Sequence, residues 1–344
     1  TSLKDLVKDL LQNFGNTYCS PKSYNNKYGV PLSLSHINTS HKYCVFEVGM
    51  SKKGEINNLT KLIKPQIGII TNISEAHIEN FKSINGIAHA KSEIINNIQK
   101  NGTVILNRDD KFFHFLEKKA KINNLKVVTF GLSKSSDISL LKISNEKRNK
   151  VLTIKTSDQT FKIKVSNINY YNVLSSLALI KELDLNFSKI LNFYKKVEPT
   201  EGRGKVHEII RYRKKFKLID ESYNANPLSV KNAIKNLNSI KKVNFKKYLL
   251  LGDMLELGDK SVKLHNDLSR VINNSDIDKV FIKGSKTLNT YKNIKKNKRG
   301  NILQHDEDID FTLKNIIANN DYLMIKGSNA TGLNNLSKKI IKGY

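Results

Sequence analysis

Pro65-Gln66-Ile67-Gly68-Ile69-Ile70-Thr71-Asn72-Ile73-Ser74-Glu75-Ala76-His77, continuing through Ile78-Glu79-Asn80-Phe81 to Ala90-Lys91-Ser92-Glu93, is the segment around which the rest of the chain arranges itself. Its apolar run ends in Thr71-Asn72 and passes into small and polar residues. That pattern predicts a buried parallel strand whose carboxyl end opens on a crevice, where open α/β sheets place their ligands. His77 and Lys91 are the first side chains to consider there.

Upstream, Tyr43-Cys44-Val45-Phe46-Glu47-Val48-Gly49 reads as the strand that pairs with residues 66–71, with a carboxylate near its carboxyl end and Cys44 in the core. A glycine-containing turn then leads to a helix over 55–63. Thr1-Ser2 followed by Leu3, Leu6, Val7, Leu10 and Leu11 has helical spacing, with Gly15 placed to stop the helix. Downstream, a helix over 86–98 and strands over 103–107 and 126–130 continue a βαβ alternation. Residues 137–165 change to short alternating runs that suggest a small antiparallel sheet, and a helix follows from Tyr171 to Leu183.

Pro199-Thr200-Glu201-Gly202-Arg203-Gly204 interrupts the periodicity and marks a domain boundary. Beyond it, strands are expected over 216–220, 248–251, 279–282, 301–304 and 321–325, with helices between them. The fold class is α/β with two domains. Residues 1–199 form a mostly parallel-sheet domain carrying the small antiparallel sheet, and residues 200–344 form a Rossmann-like open α/β domain.

A chain of 344 residues can build two cores. Fifty-nine Lys and Arg against 31 Asp and Glu give a net charge of +28, which suits nucleic acid, an anionic membrane surface or a polyanionic small substrate. The charge is spread along the chain and forms no basic stripe interleaved with aromatics, so a nucleic-acid partner is not expected. The two cysteines, Cys19 and Cys44, fit neither a disulfide framework nor a metal knuckle and point to a reducing, cytoplasmic compartment. No apolar run approaches the roughly 18–20 residues that cross a bilayer, and no leader opens the chain. A first residue of Thr1 in place of Met implies a start inside a longer protein.

Several strand ends carry chemistry. Glu47 and His77, on strands read as adjacent, could hold Mg²⁺; equally, Glu47 could pair with a lysine and His77 with a loop. Lys91, by itself, is an ordinary helix-surface lysine. Asn172 begins a helix as a cap, and Arg203 in Gly-Arg-Gly is either a hinge residue or a cation that reaches a transferring phosphoryl group. Asp220-Glu221-Ser222-Tyr223-Asn224-Ala225-Asn226-Pro227 leaves a strand and enters a helix, with Asn226 as a cap or as one of several ligand-facing groups. Leu251-Gly252-Asp253-Met254-Leu255-Glu256-Leu257-Gly258 and Lys326-Gly327-Ser328 occupy equivalent strand ends.

Taken in order, Tyr24-Asn25-Asn26-Lys27-Tyr28-Gly29-Val30-Pro31, Glu47-Val48-Gly49, Asn72 to His77 with Glu79, Phe81 and Gly86-Ile87-Ala88, Lys91 with Glu93, Asp220 to Pro227, Gly252 to Gly258 and Lys326-Gly327-Ser328 resemble the blocks of the Mur ligase family, specifically its dipeptide-adding branch. The resemblance covers essentially the whole chain. It implies an ATP-dependent ligase of peptidoglycan precursor synthesis, with an ATPase-type first domain and a second domain that brings in D-alanyl-D-alanine. The cosubstrate implied is UDP-N-acetylmuramoyl-tripeptide, whose terminal carboxylate passes through an acyl phosphate. ATP and Mg²⁺ are the implied cofactors, and a monomer is expected, without membrane insertion.

Carried over by matching motif, Thr1, Glu47, His77 and a carbamylated Lys91 would serve the metal. Asn72, Asn172 and Arg203 would meet the nucleotide, as would Asp220, Tyr223, Asn224 and Asn226 from the second domain. Asn25 and Asn26 would face the muramoyl peptide, and Asp253, Glu256, Lys326 and Ser328 the dipeptide. The resemblance also implies a uridine-nucleotide domain and a Gly-rich phosphate loop before Thr1, so the 344 residues alone are expected not to turn over ATP. Rival readings are another Mur ligase, a folylpolyglutamate synthase-like amide ligase, and a fragment that only binds nucleotide or dipeptide.

Overall fold

The structure, a computed structural model, describes residues 1–75, 78–146, 149–166 and 168–343. It divides into two compact units, Thr1–Ser74 with Phe81–Glu198, and Glu75–Asn80 with Pro199–Tyr344.

In the first unit, short strands β1 (Thr17–Cys19) and β2 (Tyr43–Val45) pair in parallel, Thr17 opposite Tyr43. Strands β3 (Ile67–Ile70), β4 (Thr103–Asn107), β5 (Lys126–Gly131), β6 (Ile138–Glu146), β7 (Asn149–Lys155) and β8 (Thr160–Val165) form one six-stranded sheet in sequence order. Pairing is parallel from β3 to β6 and antiparallel from β6 to β8.

The core follows from the apolar runs. Every residue of β4 is buried, as expected of a strand covered on both faces. Leu6, Val7, Leu10 and Leu11 of the Ser2–Leu11 helix and Val173, Leu174, Leu177 and Ala178 of the Tyr170–Glu182 helix pack against Ile105, Val128, Phe130 and Ile138. Burying each such large side chain stabilises by about 1.5–3 kcal/mol.

Four expectations change here. Tyr43–Val45 pairs with Thr17–Cys19 and not with 66–71, whose ladder partner is Thr103–Asn107. Cys44, on that small two-stranded sheet, is exposed and not core. The antiparallel runs of 137–165 are not a separate sheet; β5 pairs with β6 through Phe130 and Gly131, so they extend the parallel one. The helix over 86–98 is α-helical only over Ile84–Lys91 and tightens to 3₁₀ over Ser92–Asn97.

In the second unit, β9 (Lys205–Arg211), β10 (Lys214–Glu221), β11 (Lys247–Gly252), β12 (Lys279–Lys283), β13 (Arg299–Ile302) and β14 (Tyr322–Lys326) form a sheet of order β13-β12-β11-β14-β10-β9. All pairs are parallel except the β9–β10 hairpin. Its two-residue turn has Tyr212 and Arg213 at φ 56° and 58°, the left-handed pair that matches strand twist in such hairpins. Phe216, Leu218, Tyr248, Leu250, Leu323 and Ile325 form the core with Ile309, Leu313, Leu336 and Ile340. Because β14 inserts between β11 and β10, the carboxyl ends of these three strands lie side by side, at the position where open sheets of this kind hold ligands.

Candidate functional site

The first unit gathers oxygen donors where the segment after β1 meets the segment after β2. Glu47 lies two residues past β2, and its Oε1 accepts a hydrogen bond from Asn25 Nδ2 at 2.8 Å. Its Oε2 is 2.9 Å from the Thr1 amine, and the Thr1 hydroxyl is 2.9 Å from Ser23 Oγ. Burial pushes the Glu47 carboxyl up, and the hydrogen bonds from the Thr1 and Asn25 side chains pull it down. Gly49 leaves no room for a side chain: a Cβ there would lie 2.9 Å from the Asn25 amide. Asn26 is turned another way, its Oδ1 accepting the N–H groups of Tyr28 at 3.1 Å and Gly29 at 2.9 Å.

At the end of β3, Lys91 is half-buried and donates to the Asn72 carbonyl at 2.7 Å. Burial lowers its pKa, partly offset by Asp110. Asp110 itself accepts the Ile73 N–H at 2.7 Å, and Asn107 Nδ2 donates to the Thr71 carbonyl at 3.1 Å. These contacts fix the turn that leaves β3. His77 lies outside the described residues.

Asn172 is half-buried and its side chain makes no hydrogen bond among the described residues. It is not the cap of its helix: that role falls to Asn169, whose side chain accepts the Tyr171 N–H at 2.9 Å, because the helix begins at Tyr170 and already includes Asn172 in its first turn.

In the second unit, Asp220 is 3% exposed at the end of β10. Its Oδ2 accepts the Gly202 N–H at 2.8 Å, and its Oδ1 takes the Ser222 hydroxyl and N–H. The loop so held has Gly202 at φ +72°, and a Cβ there would meet the Tyr223 Cβ at 2.7 Å, so both conformation and space require glycine. The loop carries Arg203, whose guanidinium lies over the Tyr223 ring at 4.4 Å. Glu221 and Lys326, register partners across β10 and β14, form an ion pair at 3.5 Å. Burial pushes Glu221 up and Lys326 down, and each opposes the other's shift. Lys326 also donates to the carbonyls of Glu221 and Asn224.

The remaining polar groups hold loops. Asn226 caps the Pro227–Ser239 helix in a reciprocal box with Ser229, Oδ1 accepting at 2.9 Å. Asn224 Oδ1 accepts the Ala225 N–H at 2.8 Å. Asp253 accepts the N–H groups of Thr287 at 2.8 Å and Lys286 at 3.3 Å. Ser328 Oγ accepts the Leu255 N–H at 3.0 Å, and Glu256 adopts a left-handed φ of 61°.

The description "Mur ligase middle domain" matches residues 1–180, and "Mur ligase, glutamate ligase domain" matches residues 207–329. The chain belongs to the Mur ligase family. This Mur ligase is thus an ATP-dependent peptide ligase. It is 30% identical over 351 residues to the UDP-N-acetylmuramoyl-tripeptide–D-alanyl-D-alanine ligase of Buchnera aphidicola subsp. Baizongia pistaciae, covering 100% of this chain and 74% of that one. A crystal structure of MurF from Acinetobacter baumannii has the same fold, at TM-score 0.87 and 24% identity over 99% of this chain and 74% of the other. So does MurF from Thermotoga maritima, a structure in complex with ADP, at TM-score 0.85 and 23% identity over 100% of this chain and 78% of the other.

Among the described residues, no three His, Cys, Asp or Glu side chains converge. The Thr1 hydroxyl and Glu47 carboxylate are nevertheless hard oxygen donors of the kind Mg²⁺ accepts, since that ion keeps several waters and needs few protein ligands. Two residues of this Mur ligase escaped the reading of the sequence. Asp110 had a visible signal, the polar run Asn107-Arg108-Asp109-Asp110 at the carboxyl end of an apolar strand. Lys4 had another, since it shares helical spacing with the buried Val7 and Leu11.

Proposed function

We propose that this Mur ligase joins D-alanyl-D-alanine to UDP-N-acetylmuramoyl-tripeptide at the expense of ATP, acting in the cytoplasm as a monomer. The observation that carries the proposal is the likeness to a relative of that name along 100% of the chain. In the reaction, a terminal carboxylate oxygen of the tripeptide attacks the γ-phosphorus of ATP and ADP departs. The amine of the dipeptide then attacks the acyl carbon, the amide forms, and inorganic phosphate leaves with the amine's proton lost to solvent.

The residues are assigned as follows. Residues 1–199 bind ATP and residues 200–344 receive the dipeptide. Thr1 and Glu47 would hold Mg²⁺ together with His77, and the ion would neutralise phosphate charge. Lys91, its ammonium disfavoured by burial, is suited to add CO₂ at a neutral amine and lose a proton, giving the carbamate that would extend this oxygen set. Asn172, with its amide unengaged, and Asn72 line the nucleotide. Arg203, on its held loop, would serve the phosphates, and Tyr223, Asp220, Asn224 and Asn226 would serve the ribose and base. Asn25 and Asn26 border the muramoyl peptide, while Asp253, Glu256, Lys326 and Ser328 shape the dipeptide side, mainly by fixing backbone.

The test is an assay of the full-length gene product with ATP, Mg²⁺ and UDP-N-acetylmuramoyl-tripeptide, offering D-alanyl-D-alanine, D-alanine, diaminopimelate or glutamate in turn. Phosphate release and a product of the added dipeptide mass are expected with D-alanyl-D-alanine alone. Equal turnover with a single amino acid, or none with the dipeptide, refutes the proposal.

A further inference from the structure

Lys4 is a buried ammonium that none of the roles above uses, 6% exposed on the Ser2–Leu11 helix. An ammonium has three protons to donate. Lys4 directs them to the Ser20 carbonyl at 2.6 Å, the Lys22 carbonyl at 2.9 Å and the Asp5 carboxylate at 2.9 Å. Two of these acceptors belong to the segment Ser20–Asn25, which bends through Lys22 at φ +45°, a conformation that a non-glycine residue keeps only when its surroundings enforce it.

That segment touches each oxygen donor of the proposed cation site. Ser20 Oγ accepts the Glu47 N–H at 3.3 Å. Ser23 Oγ meets the Thr1 hydroxyl at 2.9 Å, and Asn25 Nδ2 holds Glu47 Oε1 at 2.8 Å. At its far end the Asn25 carbonyl accepts the Gly49 N–H at 2.8 Å.

We infer that Lys4 is a positioning residue: by locking Ser20–Asn25 it sets the spacing of the Thr1 hydroxyl and Glu47 carboxylate that receive the Mg²⁺ of the nucleotide. The inference rests on the ligase reading above. It concerns a residue that touches neither ion nor substrate and acts through the loop, as outer partners of metal ligands do.

The experiment titrates Mg²⁺ into the full-length protein with a non-hydrolysable ATP analogue, by calorimetry, for the parent, Lys4→Met, Asn25→Ala and the double variant, with a melting curve for each. Lys4→Met is expected to raise the Mg²⁺ concentration for half-saturation by about tenfold or more. Asn25→Ala should do the same, and the double variant should be no worse than the more severe single one, because the two act along one path. If Lys4→Met does not fold, Lys4→Gln, which keeps donors for the carbonyls, is read in its place. A Mg²⁺ requirement within about twofold of the parent, with only the melting temperature lowered, makes Lys4 a purely structural lysine and overturns the inference; so do additive penalties. A parent that binds no Mg²⁺–nucleotide overturns the ligase reading itself, and the inference with it.

Discussion

Replacing Asp220 by alanine removes the acceptor for two main-chain amides, Gly202 at 2.8 Å and Ser222 at 3.3 Å, and for the Ser222 hydroxyl. The hydroxyl can turn elsewhere; the amides cannot. Hydrogen bonds to a charged acceptor contribute about 1.5–3 kcal/mol each, so two give about 3–6 kcal/mol for a carboxylate only 3% exposed. At about 2–4 °C per kcal/mol for a unit of this size, melting should fall by roughly 6–24 °C. The loss is local to the loop carrying Arg203, so limited trypsin digestion, read by mass spectrometry, should cut the Arg203–Gly204 bond faster in proportion to loop opening. Asp220→Asn is the control. It keeps one acceptor but sets an amide N–H against one of the donors, so it should lose about half as much. Melting within about 2 °C of the parent together with unchanged cleavage at Arg203 would refute the idea that this carboxylate holds the loop.

Three further outcomes are expected. His265 is buried, accepts the Met254 N–H on Nε2 at 3.1 Å, and has its pKa lowered chiefly by burial. The unfolded chain therefore takes up the proton first, so stability is complete above about pH 6.5 and declines as the pH falls below it; urea midpoints at two pH values should show the decline, and His265→Gln should flatten it. Asn226→Ala breaks the capping box of the Pro227–Ser239 helix and should cost about 1 kcal/mol, seen as a melting shift of about 2–4 °C. Lys91→Ala should lower turnover of the full-length enzyme at least about tenfold, with a small carboxylic acid restoring part of it and the parent responding to bicarbonate; indifference to both would count against a carbamate.

What could be read in the sequence depended on how completely each segment was buried. Thr103–Asn107 and Lys247–Gly252 have every residue buried, and both were visible as strands within a residue or so. Thr17–Cys19 has three residues and no periodicity, so it was missed, and the mistaken pairing of Tyr43–Val45 with 66–71 followed from that omission. Lys205–Arg211 is an edge strand whose Val206 and Ile210 are exposed, so its pattern gave no core face to recognise. Residues at parallel strand ends, such as Asp220, Asp253 and Lys326, could be picked out because carboxylates and lysines seldom follow apolar runs without a reason. Which partner each would take could not be read, since those partners are mostly main-chain groups of loops distant in sequence.

The hydrogen bonds at these strand ends bear on how the site works. A strand that stops leaves N–H and C=O groups with no ladder partner, and a buried one must find another. Asp220, Asp253, Asn226 and Ser328 supply such partners in the second unit, and Ser20 and Asp110 do so in the first. The Asn172 side chain, in contrast, makes no hydrogen bond among the described residues. A loss of turnover at Asp220 or Asn25 would not separate contact with substrate from support of a loop. A split between affinity and turnover does separate them, because a contact residue changes the complex it binds, whereas a support residue first changes how firmly the loop is closed in the protein alone. Asp220, whose carboxylate holds the Gly202 and Ser222 amides, is expected to show the second pattern.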